Sequence, residues 1–175
     1  TRLKGTHHVI SALEKVIKKH PNAVHVVVGD GPEMENLKKQ ASDLGVSHRV
    51  RFVGSVPQSE VWKYMAVADV VPALWSIGPL FEAMLCGKCV VTINIGETER
   101  FIQNRKNGIL LEEEEIGNLS DVINELLEND DLRLRLARNG KKWALDNLET
   151  WEERVQKEVR LVEKIVQNWK QRRRS

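Results

Sequence analysis

Only two cysteines occur in 175 residues, Cys86 and Cys89, so no disulfide framework can staple this chain. A reducing, cytoplasmic setting suits them. Charge of one sign is lacking too: 27 Lys and Arg against 25 Asp and Glu leave a net charge of +2. That balance excludes a partner gripped by bulk electrostatics, nucleic acid foremost. Long hydrophobic runs are absent. The longest, Ala66 to Pro79, contains Asp69 and Ser76 and is far too short to span a bilayer. No charged-then-apolar leader opens the chain, and its first residue is Thr1 rather than Met, as expected for a piece of a longer polypeptide. What is present is 41% hydrophobic and 30% charged residues, the composition of a soluble globular domain of about one α/β unit.

Apolar periodicity switches type along the whole length. Val9, Ile10, Leu13, Val16 and Ile17 form a helical face that stops at Lys18-Lys19-His20-Pro21, cations at the helix C-terminus and a proline to close it. Val24 to Val28 is a short β-branched strand ending in the turn Gly29-Asp30-Gly31-Pro32. The same logic predicts helices over Glu33–Leu44, Glu60–Val67 and Leu80–Leu85, and a short one over Thr98–Gln103. It predicts strands over Val50–Val53, Asp69–Leu74, Cys89–Ile93 and Ile109–Leu111. Short, near-continuously apolar strands alternating with helices belong in a parallel sheet covered on both faces. Right-handed crossovers make it a Rossmann-like, doubly wound α/β fold. From Leu119 onward the pattern is wholly helical. One face carries Val122, Ile123, Leu126 and Leu127, and a second Leu132, Leu134, Leu136 and Trp143. The last helix opens with a capping box, Thr150 and Glu153, and carries a stripe of Trp151, Val155, Val159, Val162, Val166 and Trp169. The expected division is residues 1–148 as the ligand-binding domain and 149–175 as a C-terminal helix with a basic tail.

Several motifs invite chemistry and fall to plainer readings. Cys86-Gly87-Lys88-Cys89 has metal-ligand spacing, but structural zinc needs four ligands and no second pair exists. These cysteines follow a helix rather than precede one, so a depressed thiol pKa is not expected either. His7, His8, His20 and His25 show no ligand spacing with carboxylates; no metal site is predicted. Glu112–Glu115 reads as a solvated loop. Arg172-Arg173-Arg174 leaves peripheral membrane contact open. Gly29-Asp30-Gly31-Pro32 lacks the third glycine of GxGxxG and the Gly-Lys-Ser/Thr ending of a P-loop, so a tight turn allowing close backbone approach is its expected use.

The order of four short pieces nevertheless resembles the C-terminal domain of family 4 retaining glycosyltransferases of the GT-B fold. They are Lys4-Gly5; Val27 through Glu33; Arg49 through Pro57, continuing to Tyr64 and Ala68-Asp69-Val70; and Phe81-Glu82-Ala83-Met84-Leu85-Cys86-Gly87-Lys88, followed by Asn107-Gly108-Ile109-Leu110. The resemblance covers roughly Lys4 to Leu111. It implies a domain that binds a nucleoside diphosphate sugar as substrate, without a cofactor, while a separate N-terminal domain binds a glycan or lipid acceptor. It implies Lys4, with Arg2 and the backbone at Gly78, against the diphosphate. Glu82 takes the ribose hydroxyls, Ser55 and Val56 read the base through main-chain groups, and Ser76 and Ile77 lie at the donor sugar. Two readings of Glu82 stand at this point: ribose acceptor, or cap on the dipole of its own helix. For Gly78 they are anion site and ordinary strand-to-helix turn. In the family a second glutamate lies eight residues before the helix-opening one; here counting back gives Leu74, no acid lies between Asp69 and Glu82, and a shortened loop in which Ser76 replaces one hydrogen bond is the other reading.

The leading functional expectation is the donor half of a glycosyltransferase, binding donor but turning over poorly alone, with no catalytic residue assigned. The competing expectation is a degenerate, non-catalytic module kept as a partner-binding subunit. A sugar-nucleotide epimerase of related fold is a third. One structural expectation concerns the front of the chain. The strand leading into Lys4-Gly5 would be central in a doubly wound sheet, and without it two rows of backbone groups would lack a neighbour.

Overall fold

The computed structural model describes residues 4–149 and 151–172. Strand β1 (His25–Val28) pairs in parallel with β2 (Val50–Gly54), and β3 (Val70–Pro72), β4 (Cys89–Ile93) and β5 (Ile109–Leu111) form a second parallel ladder in that order. Helices α1 (Thr6–Lys19), α2 (Met34–Asp43), α3 (Gln58–Val67), α4 (Ile77–Leu85) and α5 (Leu119–Glu128) link and cover them, followed by α6 (Asp130–Asn147) and α7 (Trp151–Arg172). Parallel neighbours joined by helices are the α/β arrangement the periodicity predicts. The ladder is divided, however: among the described residues no strand joins β1 to β3.

Helix α1 serves both parts. Its Ile10 and Leu13 pack with Ala41, Val46 and Val50, whereas Val9 and Ala12 pack with Leu74, Val91, Ile109 and Leu126. Adjacent residues on one helix thus feed two hydrophobic clusters, because side chains one apart diverge by about 100°. All five residues of β4 and all three of β5 are buried, matching their unbroken apolar sequences. Strand β1 is only partly covered, and its Val26 is 42% exposed. Gly140 of α6 lets that helix approach closely: an added Cβ would lie 2.8 Å from the Asn107 carbonyl oxygen. Phe81, Phe101 and Trp143 form an aromatic cluster behind α4, with Phe81 edge-on to Phe101 at 5.1 Å between ring centres.

The chain divides into a compact unit, Thr1–Ala144, and a second, Leu145–Ser175. Within the second, α7 carries five residues of the predicted stripe, Val155, Val159, Val162, Val166 and Trp169, at exposed positions. Thr150 of the expected capping box, and Arg173 and Arg174 of the tail, fall outside the described residues. Among the described residues no helix is long and apolar enough to cross a membrane.

Two local expectations are corrected. Glu112–Glu115 is not a plain loop: Glu112 caps a 3-10 turn over Glu113–Asn118, with Glu115 Oε2 accepting the Glu112 N–H at 3.0 Å. Four adjacent acids favour the positive end of such a turn. The short helix after Thr98 closes at Arg100, within one turn.

Candidate functional site

Gly5 sets the geometry. Its φ of 72° is left-handed, and an added Cβ would lie 2.5 Å from Trp75 Cε3 and 3.0 Å from Leu74 Cβ. Only glycine meets both demands. The chain therefore enters α1 pressed against the residues that lead into α4. Lys4, exposed, stands immediately before that contact, and Ser76 immediately after Trp75.

Both helices begin there. In α1 the first bonds onto the helix run from the His8 and Val9 amides to the Gly5 carbonyl, at 3.0 and 3.4 Å. In α4, capped by the extended Ser76, the first such donor is Leu80, which bonds the Ser76 carbonyl at 3.3 Å. The Ile77 and Gly78 amides precede it. Gly78 is thus inside the first turn of α4, not in the loop the sequence predicts, and carries one of the free amides of that end. Two helix N-termini and a lysine side by side make a concentration of positive potential suited to an anion. The His8 ring lies 5.3 Å from Trp75, and partial burial lowers its pKa, so it adds no full charge at neutral pH.

Glu82 is corrected in position. Helix α4 starts at Ile77, so Glu82 lies in its second turn, with its carbonyl accepting the Cys86 amide at 2.9 Å. Capping its own helix is thereby excluded. Its carboxylate instead accepts a hydrogen bond at Oε1 from Gln58 Nε2, 2.7 Å away. Gln58 opens α3 directly after Ser55, Val56 and Pro57, so this bond brings the loop after β2 to the acid on α4. Sequence reasoning missed Gln58. The available signal was its position beside Pro57, at the start of a helix and next to two predicted site residues.

Gly29 and Gly54 complete this edge. Their φ angles are 117° and 80°, and the Gly29 amide donates to the Gly54 carbonyl at 2.8 Å. The register of β1 on β2 shifts between Val27 and Val28, a local irregularity that ends the ladder. Added Cβ atoms at either glycine would meet nothing, so the backbone here faces open space.

The remaining candidates sort plainly. Leu74 is 1% exposed in the main core, so a packed side chain and no carboxylate stands eight residues before Glu82. Ser76 is half-buried and Ile77 exposed at the start of α4. Arg2 lies outside the described residues. Burial pushes the Cys89 thiol up to about 12, which makes it inert, and among the described residues no group of side chains could hold a metal ion. Burial pulls His25 down to about 4.

A family description, Glycosyl transferases group 1, matches residues 1–143. This chain belongs to the group 1 glycosyl transferases. It is 30% identical over 152 residues to a GDP-mannose-dependent alpha-(1-6)-phosphatidylinositol monomannoside mannosyltransferase of Mycobacterium tuberculosis, covering 81% of this chain and 40% of that protein. The crystal structure of Anabaena Alr3699/HepE in complex with UDP superposes with a TM-score of 0.81 at 26% identity, over 93% of this chain and 46% of that one. Sucrose-phosphate synthase from Thermosynechococcus elongatus shares the fold, with a TM-score of 0.83 at 20% identity over 96% of this chain and 44% of that one. The group 1 domain therefore has the architecture of GT-B C-terminal domains, and it spans about 40% of the length of its mycobacterial relative.

Proposed function

We propose that this group 1 domain is the donor-binding part of a family 4, retaining glycosyltransferase, one that passes a sugar from a nucleoside diphosphate to a hydroxyl acceptor. The contact of Gly5 with Trp75 carries the reading, because it presses the Lys4-Gly5 entry to α1 against the residues that lead into α4. A diphosphate placed there meets one compact cation and several amides, and the same groups stabilise the leaving group as its charge develops. Glu82 then receives the ribose hydroxyls, and the loop at Ser55 and Val56 faces the base. Ser76 and Ile77 border the donor sugar. The UDP complex of the Anabaena relative supports a nucleotide donor for this chain as well. The acceptor, a glycan or lipid, would be held by groups outside these residues, so the chain alone binds donor and turns over poorly. Peripheral membrane contact through the basic tail is part of the same proposal.

Thermal unfolding with UDP, GDP and their sugars tests it. A ligand at 100 times its Kd adds about 2.7 kcal/mol to stability. No shift with any of them would sink the donor role. One observation favours a second reading, a partner-binding module without activity: the packed Leu74 offers no carboxylate to a donor sugar.

A further inference from the structure

Resting on the donor-domain reading above, we infer that Gln58 is a positioning residue that aims the Glu82 carboxylate at the ribose of the donor. Glu82 sits half-buried on α4, and a glutamate side chain left to itself samples many rotamers. Gln58 removes that freedom. Its Nε2 donates to Oε1 at 2.7 Å, a charge-assisted bond within the short range such bonds favour.

A carboxylate has about four lone-pair sites, and Gln58 occupies one. Oε2 and the second lone pair of Oε1 remain, enough for two adjacent hydroxyls. Among the described residues Glu82 forms no ion pair, so its charge is not spent on a protein cation. A neutral amide suits this task. A lysine in its place would neutralise the acceptor, and a carboxylate would repel it.

The bond also fixes a register. Gln58 is the first residue of α3, where the Glu60 amide closes on the Pro57 carbonyl at 2.8 Å. Ser55 and Val56 precede it by three and two positions. The segment facing the base is thus tied directly to the acid facing the ribose, and a nucleoside must fit both at the spacing that the bond sets.

The test compares ribonucleotide with deoxyribonucleotide. Calorimetry measures the affinity of this chain for UDP and GDP and for their 2′-deoxy counterparts. The variants are Gln58→Met, which keeps size and loses the donor, Gln58→Glu, Glu82→Gln and the double variant Gln58→Met/Glu82→Gln. The wild type should prefer the ribonucleotide, and Gln58→Met should cut that preference roughly two- to tenfold, the span of one hydrogen bond. Gln58→Glu should cut it at least as far. Glu82→Gln should cut it further, and the double variant should match Glu82→Gln alone. A purely structural Gln58 would weaken both nucleotides equally and leave their ratio unmoved. An unchanged ratio in both Gln58 variants, with a lowered one in Glu82→Gln, would overturn the inference while sparing the ribose role. Wild-type binding with no preference for the ribonucleotide would overturn both. No binding of UDP or GDP to the folded chain would sink the donor reading, and this inference with it.

Discussion

The two ladders were built from similar strands and ended differently. In β3–β4–β5 the central strand has a partner on each side and helices above and below, so every residue of β4 is buried. In β1–β2 each strand has one partner among the described residues, Val26 is 42% exposed and Val53 37% exposed. Five valines and a phenylalanine shared by these two strands do not by themselves bury them; neighbours on both edges do. The candidate site draws on both halves. Ser55, Val56 and Gln58 follow the open ladder, whereas Ser76, Gly78 and Glu82 follow the closed one. The acid that would bind ribose therefore stands on the firm side and its positioning amide on the looser side.

The largest expected effect tests the firm side. Ile93→Ala on β4, fully buried, should cost about 2–5 kcal/mol in urea unfolding, the range for a cavity left by a large aliphatic residue. A loss under about 1 kcal/mol would erase the contrast between the ladders.

The open ladder holds one group that resists it. Burial lowers His25 on β1 to about 4 against an ordinary 6.5. Between those values the unfolded chain binds more protons, so stability should fall as pH drops from 6.5 towards 4. His25→Phe should flatten part of that slope. An unaltered slope would mean that β1 is wetter at His25 than its burial indicates.

Across the site, Glu82→Gln should weaken nucleotide binding by about 1–3 kcal/mol in calorimetry with the fold intact, the range for a lost charge-assisted bond. A folded variant that binds with wild-type affinity would detach Glu82 from the ligand. Lys4→Ala should cost about 1 kcal/mol at low salt, more for a nucleoside diphosphate than for the nucleoside, and the difference should shrink as salt rises. Equal losses for both ligands would move Lys4 away from the phosphates.

The smallest effect is on the exposed strand. Val26→Thr should change stability by less than about 0.5 kcal/mol, as surface substitutions usually do. Hydrogen exchange sharpens the same point: amides of β4 should exchange through global opening, and those of β1 through smaller local openings.

Much of this was legible beforehand. Unbroken runs such as Cys89–Ile93 and Ile109–Leu111 announced buried parallel strands, and the observed β4 and β5 have those bounds. Gly5, Gly29 and Gly54 stood in motifs that the resemblance also used. The start of α4 was misread. Ile77-Gly78-Pro79 looks like a turn because glycine and proline punctuate it, yet proline is at home in a first helical turn, where its lost N–H has no partner anyway. That error carried Glu82 to the helix start, where a capping role looked open. Glu112–Glu115 was misread because its cap depends on Glu115 folding back on the Glu112 amide, a local bond that composition does not display.

The sequence by itself determined the alternation of strand and helix, the parallel class of the ladders and the family, since each rests on local periodicity and short motifs in order. Only the tertiary structure decided that Gly5 must pass against Trp75, that Leu74 is core rather than site, and that Gln58 meets Glu82. Those contacts join segments about 70 residues apart in one case and 24 in the other. No periodicity encodes them, because they arise where separate crossovers bring the ends of α1, α3 and α4 to one edge of the ladders.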